Sequence, residues 1–192
     1  MSIKKEFRII GIDDGHFIKS QDSVLVIGTI FRGGQWMDGV LSTKVKVDGD
    51  DATDKLAEMI NRSRHISQLK CIMLNGIALG GFNVIDIPEL SKKTKLPVIV
   101  MTRKMPDFNK IRQALEKSGA PEKMALIKKA GKVQSMKLAL DKEVHFQFYG
   151  LSKEDAKDII RISATRSLIP EPIRAAHIIA SGVTLGESKK RV

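Results

Sequence analysis

The order in which apolar, strand-length runs follow one another constrains this chain more than any other feature. Phe7-Arg8-Ile9-Ile10-Gly11-Ile12 is a short apolar strand that ends at the turn-forming triplet Asp13-Asp14-Gly15. Val24 to Phe31 is a second run, rich in β-branched residues. After Gly33-Gly34 a third extends from Trp36 to Val47, with alternation through Val40, Thr43, Val45 and Val47. The connection between the second and third runs is short, which predicts an antiparallel hairpin. Beyond Asp48 the pattern changes. Ala52 to Arg64 reads as an amphipathic helix with Leu56, Met59 and Ile60 on one face, capped by Asp51 or Thr53. A buried strand (Leu69–Leu74), a helix (Asn83–Lys92) and another buried strand (Pro97–Met101) follow. Helices over Phe108–Ser118 and Pro121–Lys129 precede a strand at Val144–Tyr149. A helix then starts at Ser152, and after Pro170-Glu171-Pro172 a last one covers Ile173–Val183.

Three meander strands followed by helical crossovers predict an α/β protein with a mixed sheet. A right-handed crossover after the third strand places the Leu69–Leu74 strand parallel to the first and beside it. Ligand sites in open α/β sheets gather at such paired carboxyl ends. The 192 residues suit one domain over 1–192, with 186–192 as a frayed basic tail. The single cysteine, Cys71, lies in an apolar run and reads as a small buried hydrophobe. It excludes an internal disulfide, and no Cys/His zinc spacing exists. No apolar stretch approaches the ~20 residues that cross a bilayer. The N-terminus lacks signal-peptide character. The expectation is a cytoplasmic protein with no membrane partner; its oligomeric state is left open.

The net charge of +11 is uneven. Residues 1–100 carry +2 and residues 101–192 carry +9, with ten basic and three acidic residues between Arg103 and Lys137. Such a skew attracts polyanions, of which nucleic acid is the commonest inside cells, although a solvated helical face explains it equally well.

If the first and fourth strands are neighbours, Asp13 and Asn75 sit side by side at their carboxyl ends. Asp48, Asp50, Asp51 and Asp54 cluster before and inside the next helix, within reach of the same point. Converging carboxylates repel unless a hard cation lies among them. Mg²⁺ or Mn²⁺ prefers oxygen ligands and positions water against a phosphodiester. Asp13-Asp14-Gly15 and Asn75-Gly76 are equally readable as plain turns. Gly80-Gly81 suits a close backbone approach or an anion-binding loop, but it is not a P-loop, because the Lys-Ser/Thr ending is missing.

Two further segments carry a resemblance. Thr165-Arg166-Ser167-Leu168-Ile169-Pro170-Glu171-Pro172-Ile173-Arg174-Ala175-Ala176-His177 resembles the C-terminal signature of endonuclease V, a Pro-Glu-Pro run followed by an Arg and a His. Lys70 to Met101 is similar to that family's central segment, and Gly11-Ile12-Asp13 to its first metal-binding strand. Ile12-Asp13-Asp14-Gly15, Leu74-Asn75-Gly76-Ile77, Gly81-Phe82-Asn83-Val84-Ile85-Asp86-Ile87 and Gly186-Glu187-Ser188 resemble more closely still an archaeal family, domain of unknown function 99, itself similar to a divergent branch of endonuclease V. The resemblance implies a ribonuclease H-like fold, with strand order 3-2-1-4-5, and Mg²⁺-dependent phosphodiester hydrolysis, often at deaminated purines. By position it implies that Asp13 is the first metal aspartate and that His177 is the histidine near the site. It puts Asn75 where the family has its second aspartate. The helix-entry acid falls at Asp54, with Asp51 the rival. Arg103 or Lys104 falls near the family's active-site lysine. The chain departs from that pattern in three places. Asn75 brings no charge, the Pro-Tyr-Ile-Pro wedge has no counterpart, and Leu79-Gly80-Gly81-Phe82 replaces a His-Pro-Arg element.

The readings are therefore three. The first is a metal-dependent nuclease with Asp13, Asp51 and Asn75 as ligands, Asp54 and His177 assisting, and Arg103, Lys104, Arg174, Gly80 and Gly81 contacting nucleic acid. The second is a nucleic-acid-binding module without cleavage activity. The third is a phosphate-ester or regulatory function on the same scaffold. His177 also suits a packed core histidine, and Arg174 has Glu171 as an ion-pair partner three residues back.

Overall fold

The computed structural model describes residues 6–138 and 143–188. The terminal Lys-Lys-Arg-Val of the expected tail lies outside them. The strands are β1 (Arg8–Asp14), β2 (Ser23–Arg32), β3 (Trp36–Lys46), β4 (Cys71–Asn75), β5 (Ala78–Leu79), β6 (Asn83–Val84), β7 (Val98–Thr102), β8 (Gln134–Lys137) and β9 (Glu143–Tyr149). The helices are α1 (Ala52–Asn61), α2 (Ile87–Thr94), α3 (Phe108–Lys117), α4 (Lys123–Lys129), α5 (Lys153–Ser163) and α6 (Glu171–Leu185).

Seven strands form one mixed sheet in the order β3-β2-β1-β4-β7-β9-β8. β1, β2 and β3 pair antiparallel, while β1, β4 and β7 run parallel. The expected meander, the crossover and the first five positions of the sheet are all present, and this is the ribonuclease H-like arrangement. Three short strands depart from the expected pattern. β8 pairs antiparallel with β9 at the far edge, and β5 and β6 make a two-stranded flap between β4 and α2. The flap takes Asn83 and Val84 out of the helix expected there. That helix begins only at Ile87, after Asp86 accepts the Glu89 amide as its cap at 3.1 Å.

Helices cover both faces. Ile10, Ile12, Ile72, Leu74, Val98 and Val100 point toward α1 and α2, whose Leu56, Ile60, Ile87 and Leu90 complete one core. Ile9, Cys71, Met73, Ile99 and Met101 point the other way, onto Ala156, Ile159 and Ile160 of α5 and Ile173 of α6. The alternation along β1 puts Gly11 and Asp13 on the α6 face and Ile12 and Asp14 on the other. Gly11 is where α6 touches the sheet. A Cβ there would lie 2.2 Å from the Pro172 carbonyl carbon, so only glycine admits the helix this close. Thr29 Oγ1 donates to the Pro172 carbonyl at 2.6 Å and fixes the same end. Pro-Glu-Pro thus opens α6 rather than merely preceding it, because proline suits a first helical turn.

Candidate metal and nucleic-acid site

The parallel strands β1, β4 and β7 end together. Ile12 pairs with Leu74 and Asn75 with Met101 in register, so Asp13, Asn75 and the Arg103-Lys104 exit from β7 share one end of the sheet. Docking of α6 over Gly11 brings His177, two turns into that helix, above the end of β1.

The resulting cluster centres on Asp13, which is 3% exposed. Its Oδ2 accepts from Asn75 Nδ2 at 3.0 Å and pairs with His177 Nδ1 at 2.8 Å. Its Oδ1 accepts the Asp14 backbone N–H at 3.0 Å. Three donors therefore orient one carboxylate. Asp14 leaves the strand on the opposite face, where its Oδ2 accepts the Gly80 backbone N–H at 2.7 Å. Gly80 and Gly81 both hold positive φ, +54° and +86°, which glycine adopts without strain. The Gly80 N–H is thus taken by the chain's own Asp14 carboxyl group. Asp48 braces this loop. It donates its backbone N–H to the Gly80 carbonyl at 2.8 Å and accepts the Phe82 N–H at Oδ1, also at 2.8 Å. Burial raises the Asp14 pKa from 3.8 to about 6; the Gly80 N–H pulls the other way, and the adjacent Asp13 charge adds to the rise. A cavity of about 300 Å³ opens over the cluster. Asp13, Asp14, His16, Asn75, His177 and Ser181 contribute to its lining.

The helix-entry acids are elsewhere. Asp51 precedes α1 and accepts the Lys46 N–H at 3.0 Å and Asn83 Nδ2 at 2.6 Å. Asp54 is on the exposed side of α1, ion-paired with Lys93 of α2. Neither lines the cavity. Asp51 is held at the α1 entry by Asn83. Fully buried, it accepts the Ala52 N–H at 2.9 Å and donates to the Lys46 carbonyl at 2.9 Å, so it caps α1 from the flap and ties Asp51 into that corner. The expected capping of α1 by the Asp51 side chain does not occur. Asp86 is likewise committed, to the α2 cap and to Lys129 at 2.8 Å. The acid that does reach Asp13 is its own neighbour, Asp14.

Other expectations fall out differently. Arg103 and Lys104 are exposed at the β7 exit. Arg174 forks onto Glu171 Oε2 through Nε at 2.9 Å and Nη2 at 2.6 Å. Of the basic run, Lys123 is buried and donates to the carbonyls of Asp48, Gly49 and Phe82. Phe82 packs with the α3–α4 cluster, while Trp36 is exposed. Burial pushes the Cys71 thiol far up, which removes it as a nucleophile.

Among the described residues no group of three His, Cys, Asp or Glu side chains could hold a metal, so a closed protein cage does not fit. An open site for a hard cation does. Mg²⁺ is commonly held by one or two carboxylates, with water and substrate phosphates completing its shell. Asp13, Asp14 and Asn75 line one cleft and would be the residues to offer such an ion oxygen atoms. Burial, with a smaller part from the adjacent Asp13 charge, disfavours the Asp14 carboxylate, and a cation in the cleft would offset that cost.

The chain is similar to known proteins over nearly its whole length. A UPF0215 protein of Methanothermobacter thermautotrophicus is 54% identical over 190 residues, covering 97% of this chain and 92% of its own. A crystal structure of an Archaeoglobus fulgidus protein of unknown function superposes with a TM-score of 0.82 at 35% identity, covering 92% of this chain and 98% of its own. Endonuclease V of Ciona intestinalis, in complex with a 24mer DNA containing an inosine, superposes with a TM-score of 0.60 at 14% identity, covering 93% and 85%, and shares the fold. Residues 5–184 match the family model described as endonuclease dU, and the chain belongs to that family.

Proposed function

We propose that this chain is an endonuclease that hydrolyses phosphodiesters in nucleic acid containing deaminated bases, deoxyuridine first among them, at the Asp13 cleft with Mg²⁺ or Mn²⁺. The observation that carries the reading is a nearly buried carboxylate at the ends of two parallel strands. Asn75 and His177 orient it, and a second carboxylate follows it in the chain. The family description and the fold shared with a DNA-bound endonuclease V support the same reading.

Asp13 would be the principal metal ligand, with Asp14 and the Asn75 amide oxygen as partners. When bound, the ion supplies Lewis-acid charge against the phosphodiester oxygens. The protein's own part is positioning. His177 holds Asp13 through Nδ1 and fixes which oxygen faces the cleft, as outer partners of metal-bound carboxylates do. Asp14 restores the negative charge that Asn75 omits from β4. Gly80 keeps Asp14 at the rim through its N–H. Arg103 and Lys104, on the same end of the sheet, would meet the phosphate backbone and set register without reading sequence.

One observation favours a second reading, a binding module that does not cut: Asn75 directs an amide N–H₂ at Asp13, as a substitute for a cation would. A crystal soaked in millimolar Mn²⁺ separates the two. The nuclease reading expects anomalous density against Asp13 and Asp14, with the Asn75 amide turned. No ion, with the Asn75–Asp13 hydrogen bond intact, supports the binding module.

A further inference from the structure

Asp48, in the turn between β3 and α1, holds a backbone conformation that its own sequence does not ask for. Its φ is +53°, in the left-handed region that a side chain enters at a cost. It is exposed, so burial does not force it there. Strain of this kind persists where the surroundings over-determine it, and it gathers at functional sites.

The surroundings here are the flap and α4. Asp48 donates its N–H to the Gly80 carbonyl at 2.8 Å, and its Oδ1 accepts the Phe82 N–H at 2.8 Å. It therefore grips the flap on both sides of Gly81. The carboxylate also fills the space that a side chain at Gly81 would need, since a Cβ there would lie 2.2 Å from Oδ1. Lys123 of α4, 4% exposed, closes the clasp from behind. Its Nζ donates to the carbonyls of Asp48 at 2.9 Å, Gly49 at 2.8 Å and Phe82 at 2.9 Å, and it pairs with Asp50 at 2.9 Å. One buried ammonium thus ties the turn to the flap.

The clasp matters because of what it holds. Two successive glycines have no side chain to fix their backbone, so the course of Gly80-Gly81 has to be set from outside. Gly80, held at its carbonyl by Asp48, is the residue whose N–H meets Asp14 Oδ2 at 2.7 Å. Asp48 itself does not line the Asp13 cleft. Resting on the cation site read above, we infer that Asp48 is a positioning residue for the ion. It sets the direction of the Gly80 N–H, which decides the Asp14 oxygen left to face the cleft, and through it the affinity for a divalent cation. The role is geometric. An asparagine accepts the Phe82 N–H as well as an aspartate does and also tolerates the left-handed region.

The test titrates the full chain with Mn²⁺, without nucleic acid, and reads the free ion by electron paramagnetic resonance. Asp48→Gly removes the carboxylate and relieves the strain at position 48, and it is expected to weaken Mn²⁺ binding by about 10–100-fold. Gly81→Ala drives a methyl onto Asp48 Oδ1 and is expected to repeat that loss. Asp48→Asn keeps the acceptor and is expected to stay within about threefold of the unmodified chain. In an Asp14→Ala background, Asp48→Gly is expected to cost nothing further, because the two act through one contact. Unchanged Mn²⁺ affinity in Asp48→Gly would overturn the inference and leave the cation site standing. So would an equal loss with Asp14 already removed, which marks a merely structural defect, or a loss in Asp48→Asn as large as in Asp48→Gly, which marks an effect of charge. Failure of the unmodified chain to bind Mn²⁺ would overturn the cation site itself, and the inference with it.

Discussion

At the scale of single residues, Asp13 and Asp14 leave the end of β1 in different directions yet line one cleft, Asp13 held by Asn75 and His177 and Asp14 by the Gly80 N–H. Asp13 is the oriented, nearly buried group, so Asp13→Asn should lower cleavage by at least about a thousandfold while leaving nucleic-acid affinity within about threefold. His177→Ala removes a group that orients Asp13, and the expected loss in turnover is about 10–100-fold, read in the same cleavage assay. Asp14 makes a stability prediction. Its carboxyl titrates near 3.8 when unfolded and at about 6 when folded, chiefly through burial. The folded protein therefore keeps a proton on Asp14 between those values. The stability that proton confers is complete below pH 3.8 and is lost as the pH rises through 6. Without metal, Asp14→Asn should match the unmodified protein below pH 4 and exceed it at pH 7 by roughly 1–3 kcal/mol, measured by urea unfolding across pH. Saturating Mn²⁺ should shrink or reverse that gap, because a charged carboxylate holds the ion more tightly than a neutral amide.

The elements show where sequence reading succeeds and where it stops. β1, β2, β3, β4 and β7 were legible because each is a continuous or alternating apolar run bounded by turn residues. The meander and the crossover rule placed the first four, and the resemblance implied the place of β7 beyond β4. β8 was not legible. Gln134-Ser135-Met136-Lys137 has one buried apolar side chain at an edge, and its strand character comes from pairing with β9. The flap was hidden for a similar reason, since two-residue strands carry no period. With the flap went Asn83, whose buried side chain caps α1 and draws Asp51 away from the cleft. Asn83→Ala should cost about 1–3 kcal/mol by leaving the Ala52 N–H unpaired, while the Asp13 cluster stays intact. Gly11 is the other element-scale hinge of the account. Gly11→Ala drives a methyl into the α6 backbone, and the expected loss is at least ~2–3 kcal/mol of unfolding free energy. Cleavage should fall with it, because His177 rides on α6. Neither residue announces its role in the sequence, because each acts through a partner far along the chain.

Over the whole molecule, charge and topology converge. The acidic cluster lies at one end of the sheet, and the basic excess lies in the second half of the chain, which supplies the Arg103-Lys104 exit beside it. Part of that excess is structural, as the buried Lys123 and the Lys129–Asp86 pair show, so net charge overstates what is offered to a polyanion. Affinity for DNA or RNA should still fall by roughly tenfold or more between 50 and 200 mM salt, measured by anisotropy. The meeting of Asp13, Asn75 and His177 was legible from strand order and motif together. The place of Asp14 beside Gly80 was not, because it depends on how a glycine loop folds back from β4. No helix among the described residues is long and apolar enough to cross a membrane. The proposed role of Asp13, as anchor of a cation-dependent phosphodiesterase site, is open to one decisive measurement: cleavage of an oligonucleotide carrying one deoxyuridine, with Mg²⁺, Mn²⁺ or EDTA, by the unmodified chain and by Asp13→Asn. Cleavage is expected from the unmodified chain with either metal, none in EDTA, and none from the variant. Cleavage that persists in EDTA, or that proceeds equally well with Asp13→Asn, would contradict it.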